Sequence, residues 1–183
     1  MKIKSAAATD SIEKRLLGNK KQIKGLPLDE LQQLVVELGE PKFRAVQLFN
    51  WMYGHFAVDY KSMSNLSKAF REKLSHIADV TTLKLTTSEF SPLTGTKKYL
   101  FETFEGDKIE SVVIPEAKRT TLCISTQVGC PLDCKFCATG LMGYKKNLSA
   151  GEIVDQYILA VNDYGKNKIT NIVYMGMGEP LLN

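Results

Sequence analysis

The chain has 183 residues, of which 44% are hydrophobic and 24% charged, a composition typical of an ordinary folded protein. It contains no apolar run near the roughly 20 residues that span a bilayer, and "MKIKSAAATD" lacks the apolar segment of a secretory signal. We therefore expect a cytoplasmic protein with no membrane partner. In a reducing compartment, clustered cysteines more often bind metal or react than form structural disulfides.

The positive charge is concentrated at the N-terminus. Residues 1–25, here called the basic leader, contain seven Lys or Arg and two Asp or Glu and so carry a net charge of +5. The whole chain carries +4, so the other residues together carry −1. Such a segment suits a polyanionic partner such as RNA. A solvated tail would carry the same charge, and both interpretations stay open.

Residues 26–80 are predicted to form a helical N-terminal domain. "LPLDELQQLVVELGEP" places apolar residues on one helical face, with Pro27 near its start and Gly39 after its end. "PKFRAVQLFNWMYGHF" and "SKAFREKLSHIA" predict two more helices. The apolar face of the first is predicted to contain Phe43, Val46, Phe49, Met52 and Tyr53. We expect the aromatic side chains, Trp51 included, to serve the core rather than to stack on bases.

Residues 81–115 predict three short strands, and the turn segments "SPLTGT" and "EGD" indicate antiparallel pairing. Residues 116–183 then read as a βαβ unit. "TTLCIS" predicts a strand, Ser149 and Glu152 form a capping box at a helix start, and "ITNIVYM" predicts a buried parallel strand. Active sites of such units lie at the carboxyl ends of the strands, where the segments "QVGCPLDCKFCATG" and "GMGEP" follow.

Three of the four cysteines form a C-x3-C-x2-C array, Cys130, Cys134 and Cys137. Zinc sites usually combine two separated C-x2-C pairs, and Cys123 lies in a predicted strand, a poor place for a fourth zinc ligand. Three thiolates in one loop suit three irons of a 4Fe–4S cluster, whose fourth iron can bind another molecule. Zinc and buried structural thiols remain alternatives.

The array, with Phe136 before its last cysteine, resembles the radical SAM signature, and "MGMGEP" resembles the glycine-rich segment of the same superfamily. "TLCISTQVGCPLDCKFCATGLMGYKKNLSAGEIVDQ", "NIVYMGMGEPLLN" and "LGEPKFRAVQLFNWMY" resemble the RlmN/Cfr family of radical SAM RNA methyltransferases. The resemblance implies an α/β fold in which the helical domain and antiparallel strands precede the first βαβ unit of a partial (β/α)6 barrel, truncated here. It also implies methylation of adenine carbon-2 in 23S rRNA and in tRNA next to the anticodon. Carbon-8 methylation of the Cfr type and a metal-stabilised RNA-binding module are the alternatives, and the ending "GEPLLN" favours the carbon-2 enzymes.

The resemblance also implies roles for individual residues. The cofactors would be a 4Fe–4S cluster on the three array cysteines and S-adenosyl-L-methionine (SAM) at Gly178 and Glu179. Cys123 corresponds to a cysteine that forms a disulfide with a methyl-carrying cysteine, and Glu110 to a proton acceptor. Alternation along residues 122–127 places Cys123 on a polar face with Ser125 and Gln127, which we expect to point into the site.

The implied partners are 23S rRNA, tRNA and an electron donor such as flavodoxin, and the full-length protein is expected to be a monomer. Lys145 and Lys146 are expected to add to RNA binding. The methyl-carrying cysteine of the family has no counterpart among the four cysteines, so we expect a chain that lacks the C-terminal half and is inactive alone.

Overall fold

The computed structural model describes residues 16–17, 20–132 and 134–183. Most of the basic leader, residues 1–15 and 18–19, therefore lies outside the described residues, as does Asp133. The chain divides into two compact units, Met1–Thr81 and Thr82–Asn183. Within the described part, every helix is too short or too polar to cross a membrane.

Among its described residues, the first unit contains three helices, as the sequence predicts. They are α1 (Leu28–Glu37), α2 (Phe43–Tyr53) and α3 (Lys68–Ile77). The Ser67 side chain caps α3 by accepting a hydrogen bond from the backbone N–H of Phe70 (3.2 Å). Trp51 packs against the core of this unit, which agrees with the structural role expected for it.

The buried face of α2 agrees with the predicted one only in part, since Met52 is buried and Phe49 and Tyr53 pack against the core. Ala45, Leu48 and Met52 are buried, whereas Phe43 is 54% exposed and Val46 is 40% exposed. Both patterns have helical spacing, so periodicity alone did not distinguish them. The arginine next to Phe43 lies over its ring, 5.0 Å from the centroid, so the exposed aromatic has a cationic neighbour.

A small sheet joins the end of the basic leader to the end of α3, a feature that the sequence did not predict. Its strands, in the order β1-β2-β3, are β1 (Leu16–Leu17), β2 (Lys20–Gln22) and β3 (Ala78–Asp79). Strand β2 pairs in parallel with β3, and Lys20 Nζ lies 3.3 Å from Asp79 Oδ1. Ile23 is fully buried, so the leader from residue 20 onward is part of the folded unit.

The second unit is built on a five-stranded sheet with the order β10-β7-β6-β5-β4. The strands are β4 (Leu83–Phe90), β5 (Lys97–Thr103), β6 (Lys108–Pro115), β7 (Thr120–Cys123) and β10 (Asn171–Val173). Strands β4 to β7 are antiparallel, as predicted for residues 81–115, and β10 runs parallel to β7. The sheet thus continues from the short strands into the βαβ unit.

Helix α5 (Ala150–Tyr164) covers one face of this sheet and begins with the predicted capping box of Ser149 and Glu152. The covered face of β6 contains Ile109, Ser111 and Val113, all buried. Because side chains alternate along a strand, Glu110 and its alternate neighbours lie on the opposite face, here called the open face.

The prediction that "ITNIVYM" forms a buried strand is wrong in one respect. Strand β10 pairs in parallel with β7 as predicted, but Ile172 is 44% exposed and Tyr174 is 54% exposed. The reason is that β10 is an edge strand, bonded to β7 on one side. An apolar run predicts a strand, but its burial depends on the neighbours of that strand.

Candidate functional site

The array cysteines lie in a loop that is closed at its base by a hairpin. Strands β8 (Gln127–Gly129) and β9 (Tyr144–Asn147) pair in antiparallel fashion on either side of residues 130–143, here called the cysteine loop. Gly129 has φ +72°, and a Cβ atom there would lie 1.7 Å from the Gly143 carbonyl oxygen. Only glycine fits this contact, which brings the two ends of the loop together.

The three thiols of the cysteine loop are free and partly exposed. Residues 138–141 form a short helix, α4 (Ala138–Leu141), directly after Cys137. Hydrogen bonds from the backbone N–H groups of Gly140 and then Thr139 lower the pKa of the Cys137 thiol and so favour the thiolate, the form that binds metals. The donor set therefore fits an iron–sulfur cluster. Among the described residues, no three Cys, His, Asp or Glu side chains are already arranged around a metal position.

Cys123 is outside the cysteine loop and on the open face of the sheet. It is the register partner of Val112 in β6 and of Val173 in β10. Burial raises the pKa of its thiol, and a hydrogen bond from the backbone of Met175 opposes that rise only in part. The structure thus places Cys123 apart from the three array cysteines and shifts the pKa of its thiol in the direction opposite to that of Cys137.

Glu110 lies on the same open face as Cys123, two residues before the position opposite it in β6. Its exposed carboxylate forms an ion pair with Lys98, with 3.3 Å between Oε1 and Nζ. Its carbonyl oxygen accepts a hydrogen bond from the Ser125 hydroxyl (2.7 Å), at the point where the chain leaves β7. The structure therefore brings Glu110 and Cys123 to the carboxyl end of β7.

The segment after β10, residues 175–179, is here called the glycine turn, and it packs tightly against residues 124–127. A Cβ atom on Gly176 would lie 2.7 Å from the Ile124 carbonyl group. Gly178 has φ +99°, and a Cβ atom there would lie 2.6 Å from Gln127 Cβ. The Met177 carbonyl oxygen accepts hydrogen bonds from the N–H groups of Thr126 (2.9 Å) and Gln127 (3.2 Å). Both glycines are thus required by close approach.

Some backbone groups of the glycine turn have hydrogen-bond partners within the chain, whereas two carbonyl groups lack a backbone donor among the described residues. Glu179 N–H donates to Gln127 Oε1 (2.9 Å), its carbonyl accepts from Leu182, and its carboxylate accepts from the Leu181 N–H at the start of the 3-10 helix Pro180–Leu182. By contrast, neither the Gly176 nor the Gly178 carbonyl accepts a hydrogen bond from the backbone of another described residue.

The expectation that Ser125 and Gln127 point into the site with Cys123 is corrected by the structure. Strand β7 ends at Cys123, so the alternation does not continue, and both side chains are fully buried. The Ser125 hydroxyl accepts from the Met177 N–H (2.9 Å), and Gln127 binds Glu179. Both side chains therefore hold the backbone of the glycine turn and do not line a cavity.

One supporting residue was missed from the sequence. Gln156 is fully buried on α5, where its Oε1 accepts from the Ser111 hydroxyl and the Ser125 N–H, both at 2.8 Å, and its Nε2 donates to the Ser125 carbonyl (2.8 Å). The sequence did contain a signal for this residue, because the polar residues Glu152, Asp155 and Gln156 recur at helical spacing on the side of the helix that faces the sheet. The Asp155 carboxylate also has a structural partner, since it accepts a hydrogen bond from the Thr82 hydroxyl (2.7 Å).

Lys145 and Lys146 both form ion pairs with acidic side chains of the same unit. Lys145 pairs with Asp107, and Lys146 pairs with Glu105 and with buried Glu152, 2.9 Å away. Burial alone would lower the pKa of Lys146, but its hydrogen bonds to the two glutamates outweigh burial and raise it. These lysines attach β9 to the β5–β6 turn and to the start of α5.

Comparison with known proteins identifies relatives of both units. Residues 21–80 match the family described as the ribosomal RNA large subunit methyltransferase N-terminal domain. The chain is 48% identical to the dual-specificity RNA methyltransferase RlmN of Syntrophobacter fumaroxidans over 88% of this chain and 47% of that protein. It is 45% identical to the probable RlmN of Chlorobaculum tepidum over 91% of this chain and 47% of that protein.

A solved structure with the same fold is a radical SAM methyltransferase from Sphaerobacter thermophilus. It is 41% identical, with a TM-score of 0.82 over 88% of this chain and 48% of that chain. The chain therefore spans about half the length of the relatives it matches. The resemblance to RlmN proteins that the sequence predicts is confirmed, and so is the mixed α/β fold.

Proposed function

We propose that this chain, which belongs to the RlmN family, is the N-terminal part of a radical SAM RNA methyltransferase that methylates adenine carbon-2. The observation that carries the proposal is the meeting of the cysteine loop and the glycine turn at one rim of the sheet. Residues 125–127 bind the glycine turn through Ser125 and Gln127, and Gln127 begins the hairpin that closes the cysteine loop. A cluster and a ligand of that cluster would need this proximity.

In this proposal Cys130, Cys134 and Cys137 hold a 4Fe–4S cluster, and the glycine turn holds SAM. The cluster, when bound, would supply the electron that cleaves SAM to a 5′-deoxyadenosyl radical. The carbonyls of Gly176 and Gly178 are acceptors suited to a ligand ammonium group. Glu179 contributes mainly by fixing the turn, since its N–H, its carbonyl and one carboxylate oxygen already have partners.

Cys123 and Glu110 are proposed to act on the open face. The Cys123 thiol, protonated because burial raises its pKa, would react only once a base removes its proton, which suits a resolving cysteine used late in a reaction. Its disulfide partner would be a methyl-carrying cysteine other than the array cysteines. Glu110 is proposed as a proton acceptor, and its ion pair with Lys98 keeps a cation beside the carboxylate.

The proposed substrates are 23S rRNA and tRNA next to the anticodon, which places the reaction in the cytoplasm. We propose a monomeric full-length protein that receives electrons from a donor such as flavodoxin. The basic leader would contribute phosphate contacts, which carry charge but little base information.

The test of the cofactor assignment is anaerobic reconstitution of the chain with iron and sulfide. Cys130→Ala, Cys134→Ala and Cys137→Ala should each abolish the brown absorption of the cluster, whereas Cys123→Ala should retain about four irons and four sulfides per chain, as expected for this cluster type. Zinc uptake without sulfide in the unsubstituted chain would instead favour a structural metal site. Loss of the cluster in Cys123→Ala would make that residue a ligand and contradict its assigned role.

A further inference from the structure

Gln127 connects the cysteine loop to the glycine turn through the two ends of one buried amide. Its Oε1 accepts from the Glu179 N–H (2.9 Å), while its Nε2 donates to Asn147 Oδ1 (2.9 Å) and lies 3.4 Å from the Leu182 carbonyl oxygen. Because a backbone donor faces one end and a backbone acceptor faces the other, the network determines which end is oxygen. The side chain is fully buried, so water cannot replace either partner.

Asn147 extends this connection to the other strand of the hairpin. It is the register partner of Gln127, and its Nδ2 lies 3.4 Å from the same Leu182 carbonyl oxygen. Its Oδ1 also accepts from the Tyr144 hydroxyl (3.1 Å), at the point where the cysteine loop ends. Moving the base of the loop relative to the glycine turn would therefore break several hydrogen bonds together, of which those made by the Gln127 amide are partly buried.

We propose that Gln127 is a positioning residue that couples the cysteine loop to the glycine turn, so that order in one segment is transmitted to the other. The inference rests on the proposed function in assigning the cluster to the first segment and SAM to the second. Loss of the amide would leave the Glu179 N–H without its partner in a partly buried place, which is more costly than the loss of an exposed bond.

Hydrogen exchange of the 183-residue chain, followed by mass spectrometry, tests the unloaded protein. Gln127→Met keeps the length of the side chain but removes both ends of the amide. It should speed exchange roughly five- to tenfold in residues 176–182 and in 144–147, the factor expected from one lost hydrogen bond. Gln127→Glu keeps an acceptor for Glu179 and should speed exchange in 144–147 more than at Glu179. Tyr99→Phe is the control, because Tyr99 is buried in the same sheet and its hydroxyl donates to Asp163 near the end of α5 (2.8 Å), not to either segment.

The same measurement after anaerobic loading with iron and sulfide tests coupling directly. In the unsubstituted chain, loading should slow exchange in residues 176–182 as well as in the cysteine loop. In Gln127→Met the slowing should stay within the loop. Equal transmission in both proteins, or acceleration by Tyr99→Phe equal to that by Gln127→Met, would overturn the proposal. Failure of the unsubstituted chain to take up iron and sulfide would contradict the proposed function instead, and the unloaded comparison would still decide the role of Gln127.

Discussion

Alanine in place of Gly178 would test how the glycine turn is held. Two separate costs are expected at this position. The backbone has φ +99°, a conformation that costs an L-residue roughly 1–2 kcal/mol. The new Cβ atom would also lie 2.6 Å from Gln127 Cβ and 2.8 Å from Gln127 N, and relief of such overpacking costs roughly 1–3 kcal/mol. The sum predicts a loss of about 2–5 kcal/mol.

Two other glycines of the same unit separate these costs. Gly106 has φ +85° with nothing within 4 Å of its Cβ position, so Gly106→Ala should show the backbone cost alone, about 1–2 kcal/mol. Gly176→Ala carries no positive-φ cost but meets the Ile124 carbonyl at 2.7 Å, so it should show the contact cost alone, about 1–3 kcal/mol.

The assay must report on the second unit. The single tryptophan, Trp51, lies in α2 of the first unit, so its fluorescence serves as a control for that unit and not as the readout. Urea titration combined with hydrogen exchange in residues 120–129 and 171–180 gives the local free energy of opening. If Gly178→Ala cost no more than Gly106→Ala, the close packing of the glycine turn against Gln127 would be refuted.

The remaining predictions concern charges. Lys146→Met should lower the free energy of unfolding by about 2 kcal/mol, because it leaves the Glu152 carboxylate buried without its cation, and adding Glu152→Gln should restore most of that loss in urea titrations. Burial alone would raise the pKa of Asp163, but hydrogen bonds from Lys97 and Tyr99 outweigh it and lower the pKa. Stability from this group should therefore be lost as the pH falls below about 4, and Asp163→Asn should flatten thermal stability over that range, by at most about 1 kcal/mol at this partly exposed site. Deleting residues 1–15 should weaken RNA binding and reduce its salt dependence, because the segment contributes four Lys and Arg. Filter binding at about 50 to 200 mM salt measures the slope of log affinity against log salt concentration. An unchanged slope would show that the segment makes no phosphate contacts.

Helices and paired strands could be predicted where local patterns are sufficient. The capping box of α5 and the three helices of the first unit follow from apolar spacing and end signals, which act within a few residues. The cysteine array was recognised in the same way, from spacing alone. What the sequence could not provide was the hairpin β8–β9, because strands of three and four residues have too little periodicity to stand out.

Burial and pairing were predicted less well because they depend on residues far apart in the chain. The side chains of Lys145 and Lys146 look like free surface charges in sequence, yet their partners lie about 40 residues earlier in the β5–β6 turn. The exposure of Ile172 depends likewise on which strands flank β10, which the apolar run itself does not encode.

The candidate site shows why conventional motif reading identifies ligands more readily than the residues that hold them. The ligands are recognised by residue type, since three thiols at fixed spacing suit few roles. The supports, Ser125, Gln127 and Gln156, are ordinary polar residues whose importance comes from full burial and complete hydrogen bonding. Because buried amides are costly when unpaired, each restricts the backbone that it contacts to one arrangement. Substitutions at these supports should therefore alter the relative placement of the cysteine loop and the glycine turn while leaving every proposed ligand in the sequence.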